Sequence, residues 1–254
     1  MAFCTYDWFG DATASYYACR KACEPLHIQR NPVGERVEVV NYSAGDRTGL
    51  RAVATLYDLS GTVVSTQVRT LDAREDSTTP LFGIDFSEAG FSGDTTGSSE
   101  AGGDRTGGDT AGGDGGDRVC FLRLELFDGE QLISHNDYVI PQQEDNLQVL
   151  NGLPQVKVEA SFSWDPDRNQ FVAKLSNPSD KPALMLHLSA RDADGNRILP
   201  AIWSDNYIHL MPGEERTLTL SMPDKETYPY SLRLTGFNTA PLTIEEAMHR
   251  QVVE

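Results

Sequence analysis

The sequence has few lysines and few cysteines, and it contains no long apolar run. Only five of its 21 basic residues are lysines, and 38 acidic residues give a formal net charge of −17. Such an excess of negative charge repels nucleic acid and anionic membranes, so neither is expected as a partner. No stretch approaches the ~20 apolar residues of a transmembrane helix, and the start lacks the basic and apolar regions of a signal peptide, which leaves the compartment open.

The acidic, lysine-poor composition is typical of proteins adapted to high salt, with an ordinary acidic protein as the alternative. At 0.01 M salt the Debye length is ~30 Å, so negative charges repel one another across the molecule. We therefore expect the thermal melting temperature to rise from low to molar potassium chloride, with sorbitol of matched osmolality as the control. A melting temperature that stays flat or falls would contradict salt adaptation.

The four cysteines do not form a disulfide framework. Cys19 and Cys23 are four residues apart and share one helix face, and His27 follows after Pro25. This string could suggest zinc, but the proline ends the helix before His27 and no fourth ligand is near in the sequence. Small packing residues are the favoured interpretation, and we expect neither a metal nor a cofactor.

The hydrophobic pattern changes once along the chain, from helical to alternating. Residues 1–33 are predicted to contain one helix, which begins at Thr13 or Ser15, ends at Glu24 before Pro25, and carries an apolar stripe that no second helix covers. The stripe consists of Tyr16, Cys19, Ala22 and Cys23. From Arg36 onward, β-branched runs alternate with turn residues, which indicates β-strands.

The strand runs form two predicted modules. The first spans 34–143 and includes a hairpin with its turn near Asp128–Gly129. A linker at 144–154 leads to the second module at 155–240. A short helix is predicted at 241–254, where Thr243 and Glu246 form a capping-box pattern.

The two modules echo each other in sequence. Each has a strand that ends in Asn-x-Ser, at Asn41 and at Asn177, followed by a strand that closes in an Asp-containing turn with glycine. Modules of about 100 residues with strands every 8–12 residues favour immunoglobulin-like sandwiches. The predicted fold class is mainly β, with two immunoglobulin-like β-sandwiches in tandem, an N-terminal helix and a short C-terminal helix.

A tract of Gly, Asp, Ser and Thr at 90–117 interrupts the first module. Because it has almost no apolar residues, it cannot bury enough surface to offset its ordering entropy. We predict a disordered loop inserted between two strands. Phosphate binding by its glycines is not expected, because no strand–loop–helix context surrounds them.

The sequence lacks the common hydrolase motifs, and no catalytic residue is predicted. Neither G-x-S-x-G nor H-E-x-x-H occurs. His187 and His209 lie in predicted strands and are interpreted as half-exposed strand residues. Acidic turns at 165–169 and 192–196 match Asp-x-Asp-x-Asn, but they lack the glycine and glutamate of a calcium loop, which favours hairpin turns.

The segment from Trp203 to Tyr207 is the best candidate binding site. A tryptophan beside Asp205, Asn206 and Tyr207 offers an aromatic stacking face and fixed hydrogen-bonding groups, as a carbohydrate-binding surface requires. The same residues also suit a corner between two sheets, so both interpretations stay open. Downstream, Pro212–Gly213 predicts a type II turn.

Three motifs resemble glycoside hydrolase family 2 exo-β-D-glucosaminidases, in collinear order. YYACRKACEPLHIQ at 16–29 resembles the last helix of the catalytic barrel, where it runs into an immunoglobulin-like domain. FLRLELFDGEQLISHNDYVI at 121–140 resembles the end of that domain, and WSDNYIHLMPGE at 203–214 resembles the terminal immunoglobulin-fold domain. Related β-mannosidases share the architecture, so a β-mannoside is the alternative substrate.

The resemblance implies the C-terminal portion of such an enzyme, in which both catalytic glutamates lie on upstream barrel strands. No catalytic residue is therefore carried over, and the chain alone is expected to be inactive. Its implied role is to buttress the barrel, its expected partner through the N-terminal helix, in an enzyme acting on chitosan oligosaccharides. The alternative is a free-standing carbohydrate-binding or adhesion module, with Trp164 as a further aromatic candidate.

Overall fold

The computed structural model describes residues 5–91, 118–143, 146–221 and 229–245, which form one α-helix, fifteen strands and two short 3₁₀ turns. The elements are α1 (Ala14–Ala22), β1 (Leu26–Asn31), β2 (Arg36–Asn41), β3 (Arg47–Tyr57), β4 (Val63–Ala73), β5 (Ser77–Gly83), β6 (Val119–Asp128), β7 (Gln131–Pro141), β8 (Glu159–Asp165), β9 (Gln170–Ser176), β10 (Ala183–Arg191), β11 (Ile202–Trp203), β12 (Ile208–Leu210), β13 (Glu215–Ser221), β14 (Ser231–Thr235) and β15 (Leu242–Glu245). The 3₁₀ turns are Phe86–Ala89 and Gln148–Gly152.

The chain divides into two compact units. Residues 25–152 form one unit, here called the first module. Residues 1–24 join residues 153–254 in the other, here called the second module. The predicted N-terminal unit of 1–33 is thus divided, because β1 pairs with β2 in the first module while α1 belongs to the second.

The first module is a pair of antiparallel sheets with strand orders β1-β2-β5 and β4-β3-β6-β7. The predicted hairpin is present, with β6 ending at Asp128 and β7 beginning at Gln131. Alternate residues of β6 enter the core, among them Leu122, Leu124 and Leu126. Phe91 joins this core and Gly90 follows the 3₁₀ turn, whereas the rest of the predicted disordered tract, 92–117, lies outside the described residues.

The second module is another pair of antiparallel sheets, with strand orders β11-β13-β9-β8 and β12-β10-β14-β15. The predicted turn at Pro212–Gly213 precedes β13, and Gly213 has the positive φ of +73° that a type II turn requires. The predicted C-terminal helix is wrong at its start, because Leu242–Glu245 is a strand paired with β14. Residues 246–254 lie outside the described part of the chain.

The Asn-x-Ser motif that the two modules share forms the same hydrogen-bonding arrangement in both. Asn41 and Asn177 are both fully buried, and each Oδ1 accepts the backbone N–H and the hydroxyl of the serine two residues later. Each Nδ2 donates to backbone carbonyls, those of Gly45 and Ala73 from Asn41, and those of Lys181, Leu210 and Met211 from Asn177. One side chain therefore closes the local turn and ties it to a distant segment in both modules.

Candidate functional site

Helix α1 is short, and its terminal residues explain its limits. Thr13, in an extended conformation, precedes the first turn, and Arg20 and Lys21 lie in the last turn, where positive charge interacts favourably with the helix dipole. The helix ends at Ala22, two residues before the predicted end at Glu24, and Pro25 follows. Nine residues form only a marginal helix alone, so tertiary contacts must hold it in place.

Those contacts come from the second module. Ala12 and Tyr17 are 2% and 3% exposed and belong to its hydrophobic core, and Tyr16 packs against the same core. Burial raises the pKa of Tyr17 to about 12, so its hydroxyl stays protonated. The periodicity had placed Tyr16 in the apolar stripe, whereas Tyr17 is the residue that anchors the helix.

The segment Trp203–Tyr207 lies against the anchored face of α1. The Trp203 N–H donates to the Tyr17 hydroxyl at 3.3 Å, and the Trp203 carbonyl accepts from Arg20 Nη1 at 2.8 Å. Lys21 Nζ lies 2.7 Å from Asp205 Oδ2. Tyr17, Arg20 and Lys21 are spaced i, i+3 and i+4, so they share one face of the helix.

Asn206 and Tyr207 complete this contact. The Asn206 side chain is buried and forms two 2.9 Å hydrogen bonds with the backbone N–H and C=O of Leu188 in β10. Tyr207 has a φ of +57°, which is uncommon for a residue other than glycine. Its ring stacks on His187 at 4.6 Å, and its centroid is 6.2 Å from that of Tyr17.

A tight loop before the helix, Tyr6–Ala12, displays aromatic side chains. Asp7 Oδ1 accepts the backbone N–H groups of Phe9 and Asp11, and Arg197 Nη1 lies 3.3 Å and 3.1 Å from the Asp7 and Asp11 carboxylates. The guanidinium of Arg197 is also 5.0 Å from the centroid of the Phe9 ring. In this fixed loop Trp8 is 94% exposed, which is unusual for the largest apolar side chain.

The opposite face of α1 is open and carries only small side chains. Its exposed residues are Ser15, Ala18, Cys19, Ala22 and Cys23. They follow the i, i+3, i+4, i+7, i+8 spacing of one continuous helical face. Three of the four predicted stripe residues lie here, and Tyr16 is the exception.

The four predicted carbohydrate-contact residues are brought together, but mostly below the surface. Trp203 is 1% exposed and Asn206 is 4% exposed, so neither presents a stacking face or a free amide to solvent. Asp205 pairs with Lys21, and Tyr207 is half-buried. Trp164 packs edge-to-face on Phe171 at 4.6 Å. Carbohydrate contact by Asp205 and Tyr207 stays a prediction.

Other candidate residues also have defined positions. Cys19 and Cys23 are exposed, Cys120 is buried, and no group of three or more potential metal ligands occurs among the described residues. His209 is buried and accepts a hydrogen bond from the Met185 N–H at its Nδ1. Both acidic turns, 165–169 and 192–196, connect or follow strands as predicted. Within the described ranges, no helix is long and apolar enough to cross a membrane.

Comparison with known proteins gives this arrangement a family context. Residues 136–239 match the family profile described as "Exo-beta-D-glucosaminidase Ig-fold domain". Over this region the chain is similar to the immunoglobulin-fold domain of exo-β-D-glucosaminidases. Exo-β-D-glucosaminidases of Amycolatopsis orientalis and Streptomyces avermitilis are each 28% identical to it, over 94% and 95% of its length. The resemblance to the C-terminal portion of such enzymes and the immunoglobulin-like fold are thereby confirmed.

The chain is much shorter than these relatives. It spans 23% of the Amycolatopsis enzyme and 27% of the Streptomyces enzyme. The crystal structure of the exo-chitosanase of Amycolatopsis orientalis has the same fold over 94% of this chain and 28% of that structure, with a TM-score of 0.70 at 24% identity. The matched region is therefore about a quarter of a larger protein in each relative.

Proposed function

We propose that this chain is a non-catalytic β-sandwich portion of a hydrolase of β-D-glucosaminides, and that it buttresses the catalytic barrel through α1. The observation that carries the proposal is that α1 has two different faces. Tyr17, Arg20 and Lys21 fix one face to the second module, while the opposite face is exposed along the whole helix. A β-mannoside is the alternative substrate.

The exposed face has the chemistry of a packing surface. Ala18, Cys19 and Ala22 are short, so a partner helix could approach α1 at the close end of the 8–10 Å range of interaxial distances. Trp8 and Phe9 project from the neighbouring loop, and buried aromatic anchors dominate the energetics of many interfaces. Burial of each is worth ~1.5–3 kcal/mol before association costs.

The test is turnover of an aryl β-D-glucosaminide by the barrel-containing polypeptide of the same organism, whether this chain is fused to it or added. Ala18→Arg with Ala22→Arg should reduce binding and turnover by at least ~100-fold, because two long cations would separate the helices. Val68→Arg, on an exposed position of β4 in the first module, is the matched control and should leave both unchanged.

Two results would contradict the proposal. Turnover by the purified 254-residue chain alone would show that the chain itself is catalytic. Equal turnover by the barrel-containing polypeptide with and without this chain would show that the sandwiches are dispensable.

A free-standing carbohydrate-binding module is the second candidate, and one groove favours it. An open groove of about 310 Å³ crosses β8, β9 and β13, where Glu159, Lys174 and Glu215 stand among the hydroxyls of Ser161 and Thr217. These groups could bind the hydroxyls and ammonium of an amino sugar. Calorimetric titration with glucosamine oligomers tests this, and Glu215→Gln should weaken any binding.

A further inference from the structure

We propose that residues 203–207 form a latch that fixes the orientation of α1 and thereby positions the catalytic barrel for its reaction. This inference rests on the proposed function, in which the barrel docks on the exposed face of the same helix. The latch residues do not touch substrate under this proposal. They act through α1, and they include all four residues that the sequence suggested for carbohydrate contact.

The latch occupies the open edge of a sheet. Among the described strands β11 is the edge strand of the order β11-β13-β9-β8, where it pairs with β13. An edge strand leaves backbone groups without a strand partner. At Trp203 these groups bond instead to Tyr17 and Arg20 of the helix. Side chains of α1 therefore bond where a further strand would otherwise pair, and they tie the helix directly to the backbone of Trp203.

The three contacts define the helix orientation. Tyr17, Arg20 and Lys21 engage the latch within one turn, through a hydroxyl, a guanidinium and an ammonium group. Rotation of α1 about its axis, or a shift along it, would change the geometry of all three contacts. The exposed face of α1 is thus presented at one fixed angle relative to the second module.

The latch is itself preorganised. Asn206 pairs with both backbone groups of Leu188, so β10 holds it from the side of the second module. Tyr207 adopts a left-handed backbone conformation that costs energy and places its ring between Tyr17 and His187. Strain of this kind persists only where the surroundings enforce it, which fits a segment selected to hold one geometry.

The latch would affect the reaction through the precise position of the catalytic barrel. A misplacement of ~1 Å far from the reacting atoms can reduce a rate by ~100-fold. A loosened latch should therefore lower kcat of the barrel-containing enzyme and leave KM and barrel affinity close to their original values. A purely structural role would instead change stability and affinity with no specific effect on kcat.

The experiment uses Lys21 and Asp205, whose side chains are 23% and 19% exposed. Asp205→Asn should accelerate amide hydrogen exchange in α1 by about 2–5-fold in the 254-residue chain, and Asp205→Asn with Tyr17→Phe by about 10-fold or more. With the barrel present, kcat should fall at least ~5-fold at unchanged KM. Lys21→Met removes the ammonium while Asp205 Oδ1 still accepts the Asn206 backbone N–H, so it should change both readouts as Asp205→Asn does. Lys181→Gln, in the exposed Lys181–Asp180 pair, is the matched control.

The outcomes separate the latch from the proposed function. Unchanged exchange in α1 of Asp205→Asn/Tyr17→Phe would overturn the latch, whatever the barrel does. Accelerated exchange with unchanged kcat would overturn the positioning role. A wild-type chain that neither binds nor activates the barrel would overturn the proposed function and the positioning role with it, while hydrogen exchange still decides the latch.

Discussion

Replacement of Arg123 by alanine is expected to lower the free energy of unfolding of the first module by about 3–5 kcal/mol. Arg123 Nε donates to Asp137 Oδ1 at 2.8 Å, and both side chains are nearly buried, with 7% and 12% of their surfaces exposed. Without the guanidinium, the carboxylate loses its closest cationic partner in a site of low dielectric. Arg168→Ala, in a 3.7 Å pair whose arginine is 75% exposed, is the control and should cost less than ~1 kcal/mol.

The loss on removing Arg123 should depend on pH in a defined direction. Burial alone would raise the pKa of Asp137, but His135 and Arg123 outweigh it and hold the pKa well below its usual range. A lowered pKa stabilises the fold above the unfolded value of about 3.9, and this stabilisation is lost as the pH falls through the folded value. In Arg123→Ala the pKa of Asp137 should rise, so the deficit should shrink below about pH 4.

Chemical denaturation at several pH values checks this prediction. Arg123→Met combined with Asp137→Leu removes both charges and should be far less destabilising than Arg123→Ala. A loss below ~1 kcal/mol for Arg123→Ala at neutral pH, or a deficit that grows in acid, would contradict it.

Asn177→Ala is expected to destabilise the second module by about 2–4 kcal/mol. The substitution removes the Nδ2 donor from the buried carbonyls of Leu210 and Met211, while the Lys181 carbonyl keeps the Ser179 hydroxyl as a donor. Each buried carbonyl left unsatisfied costs ~1–3 kcal/mol before relaxation. Asn41→Ala removes two such bonds and should cost the first module somewhat less. Unfolding followed separately for the two modules measures both losses.

Asn177→Asp separates the acceptor role of Oδ1 from the donor role of Nδ2. It keeps the acceptor for Ser179 but replaces the donor with a buried negative charge facing carbonyl oxygens, so it should be at least as harmful as alanine. A variant Asn177→Asp close to the original in stability would show that the turn, not the carbonyl contacts, carries the effect.

Much of the fold could be predicted from the sequence because its determinants are local. The hairpin at Asp128–Gly129 and the turn at Pro212–Gly213 follow from the backbone preferences of single residues. The Asn-x-Ser echo indicated a repeated module before its hydrogen bonds were known. At Leu242–Glu245 the local signal was wrong. The capping-box pattern predicted a helix, but Ile244 is buried and Leu242–Glu245 pairs with β14, so tertiary pairing overrides the local preference.

The candidate site was harder to predict because the exposure of its residues depends on contacts with residues distant in sequence. Trp203 beside Asp205 and Asn206 has the same appearance whether the ring faces solvent or the core. The structure places it in the core, where its backbone meets α1. A nine-residue helix likewise cannot show which module covers it. The adjacent tyrosines at 16 and 17 were the one sequence signal that a second face of the helix is buried. Consecutive helical residues point in different directions, so one of the two must lie off the predicted stripe.

The anchoring of Tyr17 in the second module also determines the order in which the segments can fold during synthesis. Tyr17 belongs to the same core as Trp203, Leu232 and Ile244, so residue 17 leaves the ribosome more than 180 residues before the first of these. At ~5–20 residues per second, that interval is about 10–40 seconds. During this time residues 25–152 can complete both of their sheets, while the N-terminal helix has no core to enter. The helix is therefore accessible to other proteins first, and the second module closes on it only afterwards.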